Sequence, residues 1–95
     1  MRLKKITTSA NDVLQRGFRV KGARLVSDSD NSTALLFDEA GGVAGDEFVK
    51  LVVSAGTGED HPGSDVQMFG NGFFLNNALS VTISGTSSVL YIYYE

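Results

Sequence analysis

His61 is the single histidine of the 95-residue chain, and cysteine is absent. A hydrolytic triad or dyad would therefore have to be built on that one imidazole, and no cysteine nucleophile is present. That imidazole sits in Glu59-Asp60-His61-Pro62-Gly63, a turn sequence, whereas a general base needs a rigid surround. Nothing resembling a GxSxG elbow accompanies it, so no catalytic residue is expected. Glu59, Asp60, His61 and Asp65 could together hold a divalent cation, as could Asp38, Glu39, Asp46 and Glu47, but neither set is a recognised pattern. An EF-hand loop needs DxDxDG spacing and a Glu at its twelfth position, and Asp28-Ser29-Asp30-Asn31 lacks that Gly and Glu. Gly41-Gly42 to Gly45 and Gly70-Asn71-Gly72 do not match GxxxxGK[ST] and open no helix, so they are turn glycines. The expectation is a chain with no enzymatic activity, no metal and no cofactor.

Charge is the more informative signal. The net charge of -3 conceals a split: residues 1–24 hold seven basic groups (Arg2, Lys4, Lys5, Arg16, Arg19, Lys21, Arg24) against Asp12, while the rest holds Lys50 against ten carboxylates. A basic segment on an acidic body suits docking on a neighbouring copy, on another acidic protein or on nucleic acid; its plainer role is to keep a frayed terminus soluble. Nucleic-acid binding needs a basic face with positioned aromatics, and an acidic body argues against a specific nucleic-acid partner. The apolar runs are too short to span a bilayer as helices, and no apolar stretch follows Met1 to Lys5, so neither a membrane partner nor a secretory signal is expected. A cysteine-free chain suits a reducing cytoplasm.

The elements that would carry these residues are strands. At 42% hydrophobic and 20% charged, 95 residues make one ordinary globular domain. Residues 1–15 show no clean period and read as an extended basic arm, with one short turn near Asn11 and Asp12; residues 16–95 read as a single β domain. Within Arg16 to Ser27, Phe18, Val20 and Gly22 alternate with Arg19, Lys21 and Ala23, and Gly22 marks a bulge or bend. Thr33 to Asp38 has apolar groups on both faces, Ala34 and Leu36 against Leu35 and Phe37, so one face is expected to be covered by something other than its own core. In Phe48 to Ser54, Val49, Leu51 and Val53 share a face and Lys50 marks the wetter one. Ala55 to Ser64 is a surface loop, and Asp65 to Leu75 reads as two short strands about Gly70-Asn71-Gly72. Leu79 to Ser84 and Val89 to Tyr94 read as a β-hairpin. The sum is an all-β domain of six to seven strands, a small antiparallel β-sandwich or barrel, jelly-roll-like in outline.

The last strand, Leu90-Tyr91-Ile92-Tyr93-Tyr94, is apolar or aromatic on both faces and is expected to be the hub of the fold. A period of two allows either set inward. With Leu90, Ile92 and Tyr94 in the core, Tyr91 and Tyr93 form an outward stripe of the kind favoured in interface centres. The candidate interface residues are therefore Arg2, Lys4, Lys5, Arg16, Arg19, Lys21, Leu35, Phe37, Tyr91 and Tyr93.

In order, LLFD (Leu35 to Asp38), a Gly-rich turn, FVKLVVSAG (Phe48 to Gly56), VQMFGNGFFL (Val66 to Leu75) and LYIYYE (Leu90 to Glu95) resemble a family of small β-sandwich virion proteins of tailed bacteriophages. The resemblance covers about residues 33–95, and the basic first third is less typical of it. It implies a capsid decoration or cement protein that binds the major capsid protein, assembles with itself as a homotrimer, is made in the host cytoplasm and ends on the capsid surface. The alternative is a tail- or fibre-associated binding module, for instance for glycans, using the Ala55 to Ser64 loop.

Overall fold

Runs of β-branched and aromatic residues with a period of two, broken by Gly, Asn, Asp and Ser, set eight strands along the chain. The computed structural model describes residues 1–27, 31–43, 45–54, 63–85 and 88–95. Its strands are β1 (Arg2–Ile6), β2 (Ala10–Gln15), β3 (Arg19–Ser27), β4 (Ser32–Asp38), β5 (Val49–Val53), β6 (Gly63–Phe74), β7 (Ala78–Ser84) and β8 (Ser88–Tyr94). They form two four-stranded antiparallel sheets, a front sheet in the order β1-β8-β3-β6 and a back sheet in the order β2-β7-β4-β5. Four of the pairings, β1 with β8, β2 with β7, β3 with β6 and β4 with β5, are the rungs of one long hairpin whose tip is the β4–β5 connection. Rolling that hairpin on itself stacks the two sheets and places β8 beside β3 and β7 beside β4.

The core is the space between the sheets. Val20, Ala23, Leu25, Leu90 and Ile92 enter it from the front, and Ala34, Leu36, Leu51, Leu79 and Val81 from the back, all essentially without solvent contact. The shortest dimension of the molecule, 19 Å, is that of two sheets about 10 Å apart with their outer side chains. Phe48 and Phe73 stack in parallel with centroids 3.9 Å apart, and Phe18 meets Tyr94 edge to face at 5.4 Å, closing one end of the sandwich with aromatic area. At the other end, the Ser32 and Ser88 hydroxyls hydrogen-bond across the sheets and satisfy two buried polar groups.

Several expectations change. The first fifteen residues are not an arm: β1 and β2 are edge strands of opposite sheets, held because Ile6 and Leu14 bury their side chains in the core. The strand count is accordingly eight, and the chain is strand-bearing from its first residues. Near Asn11 and Asp12, where a short turn is expected, the chain instead stays in β2 and bulges, with Asp12 at φ 55°. β7 and β8 are not paired with each other, because the chain crosses from the back sheet to the front between them. β6 is one strand, not two: Phe69 to Gly72 bulge outward opposite the single residue Lys21, with Gly70 and Gly72 at positive φ. β3 has its own bulge at Lys21, which is extra between Val20 opposite Tyr94 and Gly22 opposite Tyr93; as expected for a bend beside Gly22, it resets the phase of the strand, so Ala23 faces inward with Leu25 and Gly22 faces out.

Candidate functional site

The site is assembled by register on the outer face of the front sheet. Leu90 and Ile92 are fully buried and Tyr94 packs partly against the core, so the alternate set of β8 (Val89, Tyr91 and Tyr93) faces outward. Tyr93 stands between Leu3 of β1 and Gly22 of β3, and Gly22 stands opposite Met68 of β6. The next row runs Lys5, Tyr91, Arg24 and Val66, and a third runs Val89, Val26 and Ser64. Leu3 is 54% exposed, Val66 49% and Met68 58%. An antiparallel sheet that faced only water would carry polar residues here. These rows instead form a contiguous aliphatic and aromatic surface, the kind that marks an interaction site.

Gly22 shapes the surface. A Cβ at that position would collide with the Met68 thioether, so the absence of a side chain lets Met68 lie across β3 towards Tyr93. Lys5 and Arg24 flank Tyr91, and the three rows contain no carboxylate. Neither cation forms an ion pair with a described residue; the two ion pairs observed join Glu95 to the N-terminus and to Lys21.

The remaining candidate residues are distributed differently. Arg2 and Lys4 are exposed on edge strand β1, and Arg16 is exposed in the β2–β3 turn. Lys21 is engaged internally, donating to the Asn71 carbonyl at 3.3 Å and pairing with Glu95 at 3.9 Å, so it fills the β6 bulge. Arg19 lies over the Phe74 ring at 5.3 Å. Leu35 is half-buried on the outer face of the back sheet between Lys50 and Thr82. Phe37 is only 5% exposed and is not a surface residue in the monomer. It lies beside Ser80, whose hydroxyl donates to the Glu39 carbonyl at 2.8 Å and accepts from the Asp12 amide. With Gly41 N–H bonded to the Asp12 carboxylate, these contacts tie the β4–β5 connection to that end of the back sheet.

The sequence pointed to Tyr91 and Tyr93 but missed Leu3, Arg24, Val66 and Met68. Each lies on a different strand or row, and only the pairing register, shifted by the β6 bulge, brings them beside the tyrosines. An open groove of about 360 Å³ at the end of the sandwich is lined by Arg16, Gly17, Phe74, Leu75 and Asn76. The Gly17 N–H and Leu75 carbonyl within it bond each other, and its remaining polar lining comes from exposed Arg16 and Asn76. Among the described residues no three His, Asp or Glu converge as metal ligands, and no helix is long and apolar enough to cross a membrane. His61, Glu59 and Asp60, and residues 55–62 of the Ala55 to Ser64 loop, lie outside the described residues. Comparison with protein-family models, with curated proteins and with solved structures found no match.

Proposed function

We propose that this chain is a non-enzymatic structural protein of a tailed-bacteriophage virion, a decoration or cement protein that stabilises the head by binding the major capsid protein and assembles as a homotrimer. The observation that carries the proposal is the outer face of the front sheet, where Leu3, Tyr91, Tyr93, Val66 and Met68 present apolar and aromatic surface to water beside two cations with no ionic partner among the described residues. Such a face is a cost to a protein that works alone and an asset to one that works in an assembly. The strand pairing of a long hairpin rolled into two layers supports the jelly-roll reading, an architecture shared by capsid and lectin domains. The segments that resemble the virion family fall on its structural elements: Leu35 to Asp38 ends β4, Phe48 to Val53 enters and forms β5, Val66 to Phe74 is β6, and Leu90 to Tyr94 is the hub strand β8.

Exposed Arg2, Lys4 and Arg16 supply positive charge for an acidic capsid surface. The test is co-sedimentation of the purified chain with heads of the phage whose genome encodes it. Saturable binding to heads, with gold label over the capsid, is the expected result. Label confined to the tail, with no head binding, would overturn the decoration role in favour of a tail-associated module.

A further inference from the structure

We infer that the outer face of the front sheet docks on the β4–β5 connection of a second copy of this chain, head to tail. The inference deepens the self-assembly part of the proposed function and rests on it. Its first ground is charge. Lys5 and Arg24 bracket Tyr91, and no carboxylate lies in the three rows of the face, so two copies placed face to face would set cation against cation across a dehydrated interface.

The complementary surface is on the same chain. Asp46 and Glu47 are exposed in the β4–β5 connection, in no ion pair with a described residue, with Val43 39% exposed and half-buried Phe48 beside them. That surface carries two carboxylates and the exposed side chain of Val43, opposite in charge to a face that sets two cations about its apolar centre. The second ground is placement. The Ser80 to Glu39 bond ties the connection to the outer side of the back sheet, away from the front face, so one copy cannot satisfy both surfaces itself. Unlike surfaces on different sides of a protomer make a heterologous contact, which leaves one of each open until a ring closes.

Sedimentation equilibrium of the full chain with charge-swapped variants tests this. The wild type is expected to self-associate at micromolar concentration, more weakly as salt rises. Arg24→Glu alone, and Asp46→Lys with Glu47→Lys, are each expected to weaken association at least about tenfold, as loss of close interfacial charge pairs does. The triple variant combining both swaps is expected to recover part of the lost association, because the carboxylate placed at position 24 then meets the cations placed at positions 46 and 47, although Lys5 keeps its sign. Circular dichroism confirms that each variant is folded.

A monomeric wild type, an Arg24→Glu protein that assembles as well as the wild type, or a triple variant that stays monomeric would each overturn the docking mode. Tighter complexes from an equimolar mixture of wild type and Arg24→Glu than from either alone would also overturn it, since that pattern belongs to face-to-face packing. Head binding is measured separately: variants that lose self-association but still co-sediment with heads separate failure of the docking mode from failure of the virion role.

Discussion

Met68 lies over Gly22: the two residues face each other across β6 and β3, and the Met68 thioether occupies the space a Cβ at position 22 would need. Gly22 is not at positive φ, so alanine fits its backbone angles; the flexible end of Met68 must move aside, and the Gln67 carbonyl, 3.0 Å from the new Cβ, must give slightly. Gly22→Ala should therefore change stability by no more than about 1 kcal/mol. It should nonetheless weaken self-association, because Met68 no longer completes the surface beside Tyr93. Thermal melting together with sedimentation checks both halves of that statement.

Tyr91→Ser with Tyr93→Ser should leave the monomer folded and lower its stability by about 1–2 kcal/mol, since both rings lie outside the core. Association should fall much further, as expected for aromatic residues at the centre of an interface. Leu90→Ala is the contrast. Its side chain is fully buried, so the loss should reach about 2–5 kcal/mol and show directly in the denaturation midpoint. A double tyrosine variant that unfolds as readily as Leu90→Ala would place those rings in the core.

The β5 edge of the back sheet is capped in part by side chains of the front sheet. The Asp65 carboxylate accepts from Val52 N–H at 2.9 Å, and the Gln67 amide donates to the Lys50 carbonyl at 3.0 Å, so two outward backbone groups of β5 are already occupied. Asp65→Ala should cost about 1 kcal/mol and speed hydrogen exchange at the Val52 amide. An unpaired edge also templates other strands, so the same variant should aggregate sooner on heating.

Asp38 holds the chain where it turns from β6 to β7, its carboxylate accepting from Asn76 N–H at 3.0 Å and Asn77 N–H at 2.9 Å. Replacing it by alanine should cost about 1–2 kcal/mol, similar to loss of a helix cap. Asparagine, which keeps one acceptor oxygen, should recover part of the loss in a urea titration.

Deleting residues 1–15 should not yield a trimmed but intact domain. It removes an edge strand from each sheet and uncovers the apolar surface that Ile6 and Leu14 fill, so loss of the cooperative unfolding transition is expected. Retention of that transition would restore the dispensable arm.

The all-β class was legible because alternation is strict where one face is wet, as in β5, where Val49, Leu51 and Val53 are buried and Lys50 is exposed. The two-faced character of β8 was legible, but its inward set was not, since both alternate sets are apolar or aromatic; packing against the opposite sheet decides for Leu90 and Ile92. The first two strands were not legible, because edge strands need bury only one or two side chains and show no period: β1 has Ile6 alone, β2 has Leu14 and part of Val13. Partner choice was hidden as well. β7 and β8 have hairpin composition, yet each pairs with distant strands, and nothing local records that. The apolar face followed the same logic, since Met68 reaches the tyrosines only through a bulge.

The rolled hairpin also sets when this protein can fold. β8 lies between β1 and β3, so the front sheet lacks its middle strand until the last of the eight strands has been synthesised. Nearly all pairing here joins residues far apart in sequence, as in Arg2 with Tyr94, and chains of that kind fold in milliseconds to seconds, not microseconds. A nascent chain stalled before residue 88 holds β3 with one flank open and β1 with none of its partner, so commitment to the native state waits for β8.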